Sequence, residues 1–436
     1  MAIGKSVSAI TLSAAAAALL TFSGCGGGSS SGGGSSSSIS SGGSSSSSSQ
    51  GQYETLPKEI TADMTLKAGA IYKYSGKVNV KSPAVLTVPA GTKIAGETPA
   101  SFIVIEAGAK LNAVGTKAEP IVFTSLKDVE GQSGQNKAGE WGGLVLAGNA
   151  YTHYGVAKYE ADETVEFGCD ESKGIACQND QSSGDLEYVV VKHSGFEVEK
   201  DKELNGLSLA GVGSGTVLKN IAIIGGLDDG IEIWGGRANI DGLYVYNAQD
   251  DSVDTDLGYR GTIQNVLVRQ VNVDKTNNHD SSGMEFGNDA NTITTDDSNC
   301  TQPIMINYTG YIKGGGFYNK FDAGMKWNNV KFVSDKTVDQ EQVFFRGTDS
   351  YDTGGKHIDG PVCFKDTAMT LTQENVYSKS NSKEPKTEKT AYDFFVTDGK
   401  LLGDPTQIQI DSDACTGADE ASVWKGKAGS NDALEK

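Results

Sequence analysis

The segment 217–256, VLKNIAIIGGLDDGIEIWGGRANIDGLYVYNAQDDSVDTD, repeats one apolar pattern and decides the fold class. A longer and a shorter apolar run each return after 22 residues. The longer run is Leu218/Ile221/Ile223 and then Ile240/Leu243/Val245, and the shorter is Ile231/Ile233 and then Val253/Thr255. Alternation with period two puts the side chains of each run on one face of a β-strand. The segment therefore predicts short strands that recur at a fixed step.

The same two runs continue on both sides of this segment. Copies of the longer run are Leu186/Val189/Val191, Ile263/Val266/Val268 and Trp327/Val330/Phe332, and copies of the shorter run are Leu207/Leu209 and Met284/Phe286. A repeat of about 22 residues cannot bury its own apolar face, so stacked copies must build one continuous core. We therefore predict an all-β fold, a parallel β-helix (solenoid) over 53–350. A β-sandwich is the alternative, but it does not predict like residues aligned at a fixed step.

Segments without the repeat are predicted to leave the stack. Three insertions, at 127–138, 151–183 and 270–282, interrupt the pattern, and loops on a rigid scaffold are where function concentrates. Residues 351–436 are polar with only short apolar runs, so we predict an irregular C-terminal cap and tail there. Such a cap would cover the strand edges that the end of a solenoid exposes.

The N-terminus has the features of a bacterial export signal over 1–25. A short basic region precedes an apolar stretch at 9–22, which is too short for a typical membrane span. The stretch ends in FSGC, which resembles a lipobox, and this resemblance implies that Cys25 is lipidated and becomes the mature N-terminus. The Gly/Ser-rich linker 26–52 has almost nothing to bury and is predicted to be flexible. We therefore expect a lipid anchor in the outer membrane, on its periplasmic or cell-surface side.

Composition narrows the choice of partners. The chain has 436 residues with 56 acidic and 37 basic side chains, a formal net charge of −19. A nucleic-acid-binding protein needs a basic surface to neutralise phosphates. We therefore expect no nucleic-acid partner, whereas an acidic surface suits the binding of cations.

Five cysteines remain after the lipobox cysteine. Cys169 and Cys177 close a short polar loop, and we predict that they form a disulfide, which export permits. At most one further pair can form among Cys300, Cys363 and Cys415, and the sequence does not select it.

Acidic residues recur with the repeat and form columns when the coils are stacked. Alignment of the shorter runs places Ser208, Glu232, Asp254 and Glu285 in one outward column. Neighbouring coils lie about 4.8 Å apart, and two carboxylates at about 5 Å repel by roughly 0.8 kcal/mol in bulk water. Stacked like charge is therefore unfavourable unless something compensates it.

Two kinds of compensation involve no catalysis. In the first, the acidic residues are turn residues whose side chains accept hydrogen bonds from backbone N–H groups. In the second, a hard cation binds the oxygens, as calcium does with six to eight ligands. For such a calcium site we predict the ligands Glu232, Asp254, Asp256 and Glu285.

The third compensation is general acid–base chemistry in the turns before the shorter runs. There Asp228 stacks over Asp250, and Asp229 over Asp251. Close carboxylates separate their pKa values, so that one can stay protonated as an acid. These four aspartates are the candidate catalytic residues if the protein is an enzyme.

Aromatic residues lie near the acidic columns in the sequence. Trp234, Tyr244, Tyr246 and Tyr259 are candidates for a ligand-binding surface, because exposed rings stack on sugars or anchor a partner. The alternative is that the rings pack along a sheet or beneath a loop.

Four segments carry a resemblance to a known family: GEWGGLVLAGNA (139–150), NGLSLAGVGSGT (205–216), DDGIEIWGG (228–236) and DDSVDTDLGYRG (250–261). They resemble a set of uncharacterised bacterial lipoproteins that are assigned a right-handed parallel β-helix of the pectin-lyase type. The resemblance implies a right-handed helix and a location at the cell surface. It implies no particular reaction.

A weaker resemblance is to polygalacturonases, which share the β-helix. It rests on LDDGI at 227–231 and QDDSV at 249–253, and it implies that the aspartates there act on a polysaccharide. The Gly-His-Gly motif of that family is absent, since DSSG stands at 280–283.

From the sequence we expect an outer-membrane surface lipoprotein whose rigid β-helix serves binding or adhesion. Its partners would be the membrane, through the lipid, and a polysaccharide or a surface protein. The alternative is a polysaccharide hydrolase or lyase that uses the stacked carboxylates, and a third hypothesis is a subunit of a larger extracellular assembly. Calcium is the one cofactor that the sequence suggests.

Overall fold

The computed structural model describes residues 53–134, 136–200, 202–272, 281–288, 300–320, 323–334 and 415–426, with short strands at 343–346, 358–359, 362–364, 376–379 and 408–410. The predicted signal peptide, Cys25 and the linker 26–52 lie outside the described residues, as does most of the predicted insertion 270–282. Within the described ranges, no helix has the length and apolarity needed to cross a membrane.

The described chain winds as a right-handed parallel β-helix with three walls, which confirms the predicted all-β solenoid. Wall 1 is a sheet with 11 strands among the described residues. In stacking order, its strands are Glu59–Ile60, Lys77–Val80, Phe102–Ile105, Gly143–Ala147, Leu207–Ala210, Ile231–Trp234, Val253–Asp256, Ser282–Gly287, Gly315–Lys320, Val343–Arg346 and Val376–Lys379.

Walls 2 and 3 are the two arms of a second, bent sheet. Short strands build the first coils: Met64–Thr65, Val85–Pro89 and Lys110–Val114 in wall 2, and Glu54–Thr55, Ile71–Tyr74, Lys93–Gly96 and Ile121–Ser125 in wall 3. Longer strands then pass through both walls: Gly184–Ser194, Val217–Gly226, Asn239–Tyr246, Thr262–Arg269, Ile304–Ile312 and Met325–Ser334. The short strands Ile358–Asp359, Val362–Phe364 and Ile408–Ile410 continue the same sheet.

Each long strand bends between walls 2 and 3 at a residue with positive φ. Asn220, Asn265, Asn307 and Asn329 adopt φ values between 51° and 61° there, and Gly242 adopts 84°. Asparagine tolerates this left-handed conformation better than most residues. The side chains also stack, because Asn329 Nδ2 donates to Asn307 Oδ1 at 2.8 Å and Asn307 Nδ2 donates to Asn265 Oδ1 at 3.1 Å. This asparagine ladder was not predicted, although its residues lie between the apolar positions of the longer run.

The predicted vertical neighbours are in register inside the helix. Ile231 pairs with Val253, and both side chains are buried in one continuous core. Full burial of such a side chain contributes about 1.5–3 kcal/mol. Aromatic rings fill the core of the later coils, where Phe317 lies 5.8 Å from Phe286 and 5.4 Å from Trp327 between ring centroids.

The predicted end of the solenoid at residue 350 is wrong. Val362–Phe364 pairs with Met325–Ser334, and Ile408–Ile410 pairs in turn with Val362–Phe364. In wall 1, Val376–Lys379 pairs with Val343–Arg346. These strands have only three or four residues and are separated by long polar segments, so their sequence shows no periodicity.

The segment 415–426 belongs to the stretch that we predicted to be an irregular C-terminal cap and tail. It lies along the outside of wall 3. Trp424 packs edge-to-face on Tyr188, with ring centroids 5.2 Å apart. Glu420 accepts a hydrogen bond from Arg269 at 2.6 Å, within an ion pair. Side chains of this segment therefore cover an apolar stripe on the flank of wall 3.

The insertions at 127–138 and 151–183 leave the stack as predicted. The first contains the short helix Leu126–Val129. The second contains the antiparallel hairpin of Val156–Tyr159 with Asp162–Gly168, followed by a 3-10 turn at Glu171–Lys173. A second antiparallel hairpin joins Phe196–Glu199 to Lys202–Leu204.

The described chain contains the one disulfide for which the sequence predicted both partners. Cys169 and Cys177 form the predicted disulfide, with their Cα atoms 5.0 Å apart. Cys415 is also disulfide-bonded, and Cys300 is a buried thiol.

Candidate functional site

The turns that lead from wall 3 into wall 1 carry one of the predicted acidic columns. Asp229 Oδ1 accepts a hydrogen bond from the Asp251 backbone N–H at 2.8 Å, and Asp251 Oδ1 accepts one from the Ser282 N–H at 2.6 Å. One coil earlier, Asn205 Oδ1 accepts from the Asp229 N–H at 3.2 Å. This column therefore joins successive coils by side-chain-to-backbone bonds, as the turn-chemistry alternative expects.

The second acidic column runs along the strands of wall 1. Ser208, Glu232, Asp254 and Glu285 are consecutive register partners, which confirms their predicted alignment. Their side chains point away from the core, but Asp254 and Glu285 are buried and Glu232 is only partly exposed. Asn205 Nδ2 donates to Glu232 Oε2 at 2.6 Å, so one amide contacts both columns.

The two columns bring carboxylates together in two triads. Asp228, Asp229 and Asp250 form the first, and Asp229, Glu232 and Asp254 form the second. In each triad one oxygen from every residue lies within 4.8 Å of the others. We refer to these five residues as the carboxylate cluster. At that separation two ionised carboxylates repel by about 3.5 kcal/mol with an effective dielectric constant of 20.

Burial and repulsion both favour protonation of the cluster. Burial is the largest cause that raises the pKa of Asp229 well above its usual value, followed by the charges of Asp228 and Glu232. Burial also raises the pKa of Glu232 well above its usual value, followed by the charges of Glu160 and Asp254. The neighbouring charges that raise these pKa values all belong to carboxyl groups. The cluster can therefore retain protons or take up a positive ion.

The chemistry of the donor set fits a hard divalent cation. Calcium prefers carboxylate and carbonyl oxygens, and a triad supplies three carboxylates at once. Of the predicted ligands, Glu232 and Asp254 lie in a triad, together with Asp229 from the turn. Glu285 stacks beside Asp254 in the next coil. Asp256 belongs to neither triad, and its Oδ1 accepts a hydrogen bond from the Leu257 N–H at 2.5 Å.

The cluster also has a feature that a general acid needs. A carboxyl group with a raised pKa keeps its proton near neutral pH, and a neighbouring ionised carboxylate can act as base or nucleophile. Asp229 is buried, however, and its Oδ1 already bonds the backbone of the next coil. A substrate therefore reaches the outward groups of the cluster more readily than Asp229.

The hairpin of 156–168 lies over wall 1 beside the cluster. Tyr159 is fully buried, and its hydroxyl lies 3.1 Å from Ser208 Oγ in the outward column. Its ring packs edge-to-face on Trp234 with centroids 5.2 Å apart. Val165 and Phe167 of the hairpin are buried in the same apolar cluster. The sequence predicted the insertion but not that its hairpin packs on wall 1, because nothing in the repeat shows which surface an insertion contacts.

The prediction that four rings are exposed for ligand binding is wrong. Trp234 lies beneath Tyr159, and Tyr244 and Tyr246 lie beneath the segment 415–426. Tyr259 is buried in the core, and its hydroxyl donates to the Ala238 carbonyl at 2.8 Å. The alternative of rings packed under loops is therefore correct, since covering segments remove the two outward tyrosines from solvent.

A second charged cluster, at the start of the first insertion, serves to join loop and wall. Asp128 Oδ1 lies 3.0 Å from Lys192 Nζ and 3.3 Å from His193 Nε2, while Thr124 donates to Asp128 Oδ2 at 2.8 Å. Burial opposes ionisation of Asp128, but the bonds and charges of His193 and Lys192 outweigh it and hold the pKa well below its usual range. His193 Nδ1 also lies 2.6 Å from the Lys137 carbonyl, so this histidine is held by the loop.

Three parallel walls, an asparagine-lined bend and acidic turns before wall 1 together define a pectin-lyase-like β-helix protein. The chain belongs to the family of the pectate-lyase-like beta-helix domain, whose family model matches residues 58–396. No curated protein and no solved structure matches the chain. A domain of this family fits a role that involves polysaccharide.

Proposed function

We propose that this chain is an outer-membrane lipoprotein, anchored through Cys25, whose β-helix binds polysaccharide with the help of a divalent cation. The lipobox-like sequence and the Gly/Ser linker support the anchor, and the family supports the polysaccharide. The linker would hold the β-helix away from the membrane, where the protein could contact glycan or a surface protein.

One observation carries the choice of site, namely the two carboxylate triads with oxygens within 4.8 Å. A divalent cation would offset the repulsion among these groups, and its remaining coordination positions would accept oxygens from a sugar. The cation would thus link an acidic protein to a ligand rich in hydroxyl groups. Calcium is the ion whose ligand preferences fit this set best.

The test is binding of the full chain to soluble polysaccharides in the presence of calcium or of excess EDTA. We expect binding that is strongest with calcium and that weakens in a Glu232→Gln/Asp254→Asn variant. The matched control is Glu119→Gln, which removes an exposed carboxylate far along the chain from the cluster. Binding that ignores both EDTA and the double substitution would contradict the cation site, and no binding to any polysaccharide would contradict the function.

A polysaccharide hydrolase or lyase is the second candidate, favoured by the raised pKa values of Asp229 and Glu232. Hydrolysis would release reducing ends, and a lyase would release an unsaturated product that absorbs ultraviolet light. Either product from the wild-type chain, lost in Asp228→Asn/Asp250→Asn, would establish this reaction. Binding without product would leave the protein as a binding module.

The anchor has a separate test. Cells that express the full chain should incorporate labelled fatty acid into it, and Cys25→Ser should abolish the label. Protease treatment of intact cells then distinguishes display on the cell surface from a periplasmic position. A wild-type chain without label would contradict the lipoprotein proposal and leave the polysaccharide proposal untouched.

A further inference from the structure

Wall 2 carries an open groove that is separate from the carboxylate cluster. The groove has a volume of about 430 Å³ and crosses three consecutive coils. Two columns of outward side chains line it: Val217, Asn239 and Thr262 in one, and Lys219, Asp241 and Gln264 in the other. Walls 1 and 3 are covered on their flanks by the hairpin of 156–168 and by 415–426, whereas Lys219 and Asn239 are exposed in wall 2.

Two of the polar side chains in the groove are held in place before any ligand arrives. Asn239 Oδ1 accepts a hydrogen bond from the Thr262 backbone N–H at 2.9 Å. Asp241 Oδ1 accepts one from Asn265 Nδ2 at 2.7 Å, and Asn265 belongs to the asparagine ladder. Side chains that are already ordered lose less entropy on binding than mobile ones. The groove therefore presents fixed amide and carboxylate groups to a ligand.

The spacing and chemistry of the columns fit a sugar chain that runs along the helix axis. Successive coils rise by about 4.8 Å, which is close to the length of one pyranose residue in an extended polysaccharide. Each coil would thus face one sugar with an amide, hydroxyl or charged group, and these groups both donate to and accept from sugar hydroxyls. The column of Val217, Asn239 and Thr262 continues to Ile304, which is exposed and offers an apolar contact to the face of a pyranose ring.

The charge of the groove argues for an uncharged ligand. Lys219 and Asp241 are register neighbours of opposite charge, and the other four residues of the two columns are neutral. The chain as a whole has a net charge of −19, which disfavours the approach of a polyanion. An uncharged polysaccharide meets neither repulsion nor an uncompensated lining charge.

We propose that this groove is a second, cation-independent binding site, which takes a segment of uncharged polysaccharide across the coils of Val217, Asn239 and Thr262. The inference rests on the proposed function for the class of ligand, and it adds a site that the carboxylate cluster does not include. Its ligand makes hydrogen bonds to Asn239 and Gln264 and lies perpendicular to the strands.

The experiment is native gel electrophoresis of the full chain through gels that contain xyloglucan, galactomannan, mixed-linkage glucan or polygalacturonate, all with excess EDTA. We expect at least one uncharged polymer to retard the wild-type chain. The Asn239→Ala/Gln264→Ala variant should bind that polymer about tenfold more weakly, because two hydrogen bonds to the sugar are lost; a tenfold change corresponds to about 1.4 kcal/mol. If the double variant does not fold, Lys219→Ala serves as a second variant, because it changes an exposed side chain. We expect it also to bind the polymer more weakly than the wild type.

The matched control is Asn112→Ala, an amide in the same wall two coils from the groove, which should bind like the wild type. Retardation by polygalacturonate alone, or by none of the polymers in EDTA, would overturn the inference. So would binding that survives the groove substitutions. If binding instead requires calcium and is lost only with Glu232→Gln/Asp254→Asn, the groove is excluded and the proposed function stands.

Discussion

Replacement of Glu232 by glutamine tests whether the carboxylate cluster is under electrostatic strain. Glu232 shares a triad with Asp229 and Asp254, with oxygens within 4.8 Å. Each ionised pair at that distance repels by about 3.5 kcal/mol with an effective dielectric constant of 20. Because the raised pKa values of Asp229 and Glu232 keep part of the cluster protonated, we expect Glu232→Gln to stabilise the fold by about 1–3 kcal/mol at pH 8 without cation.

The direction of the pH dependence follows from proton binding. Between the usual glutamate pKa of about 4.3 and the raised value, the folded state binds more protons than the unfolded state. The free energy of unfolding of the wild type therefore falls as pH rises through that window. Glutamine does not titrate, so its advantage should appear as pH rises and should vanish at pH 4. The Asn205 amide can still donate to glutamine, so that bond is not lost.

The assay is guanidinium unfolding of the full chain, followed by circular dichroism, at pH 4 and pH 8 in EDTA. Glu119→Gln controls for the loss of one exposed negative charge and should change little at either pH. Calcium at 100 times its dissociation constant should then stabilise the wild type by about 2.7 kcal/mol, and the variant by less. A variant that is less stable than the wild type at pH 8, or that differs from it equally at both pH values, would refute this reasoning.

Substitutions at three further residues test the bend between walls 2 and 3, the hairpin over wall 1 and the contact between the first insertion and wall 3. Asn307→Ala should lower the free energy of unfolding by about 2 kcal/mol in chemical denaturation, because it removes hydrogen bonds of the asparagine ladder and leaves alanine at a φ of 52°. A larger loss of stability in Asn307→Gly would contradict the argument from φ. Tyr159→Phe should lower the free energy of unfolding by about 1 kcal/mol because it removes the bond to Ser208, and Tyr159→Ala should lower it by about 3–5 kcal/mol and speed amide exchange in the hairpin. Equal effects of the two substitutions would show that the packing of the ring contributes nothing. Asp128 has a lowered pKa, so its ionised form stabilises the fold above pH 4, and this contribution is lost as pH falls. Asp128→Asn should therefore lower the free energy of unfolding more at pH 7 than at pH 3, and an equal effect at both pH values would exclude an ionic contribution.

The carboxylate cluster shows how far the repeat alone could predict a site. The alignment of Glu232 over Asp254 follows from strand register, and the sequence predicts it because each residue directly follows an inward apolar residue, Ile231 or Val253. The contact between the turn column and the strand column was not predicted. It depends on how the turn enters wall 1, which brings Asp229 to Glu232 and Asp254. The apolar periodicity contains no information about the direction in which the turn enters wall 1.

The amino-acid sequence by itself determined the stacked coils, the inward residues and the short disulfide loop, because each depends on spacing along the chain. Ile231 could be placed over Val253 from a count of residues, and Cys169 could be paired with Cys177 from the short loop they close. Only the tertiary structure decided which surfaces remain accessible. Trp234 and Tyr244 are outward positions of the repeat, yet they are buried by the hairpin of 156–168 and by 415–426. These two segments pack on surfaces formed by residues far away in the sequence. The stabilising free energy of such contacts comes from the apolar area that they bury, and no local sequence pattern shows which areas will be buried together.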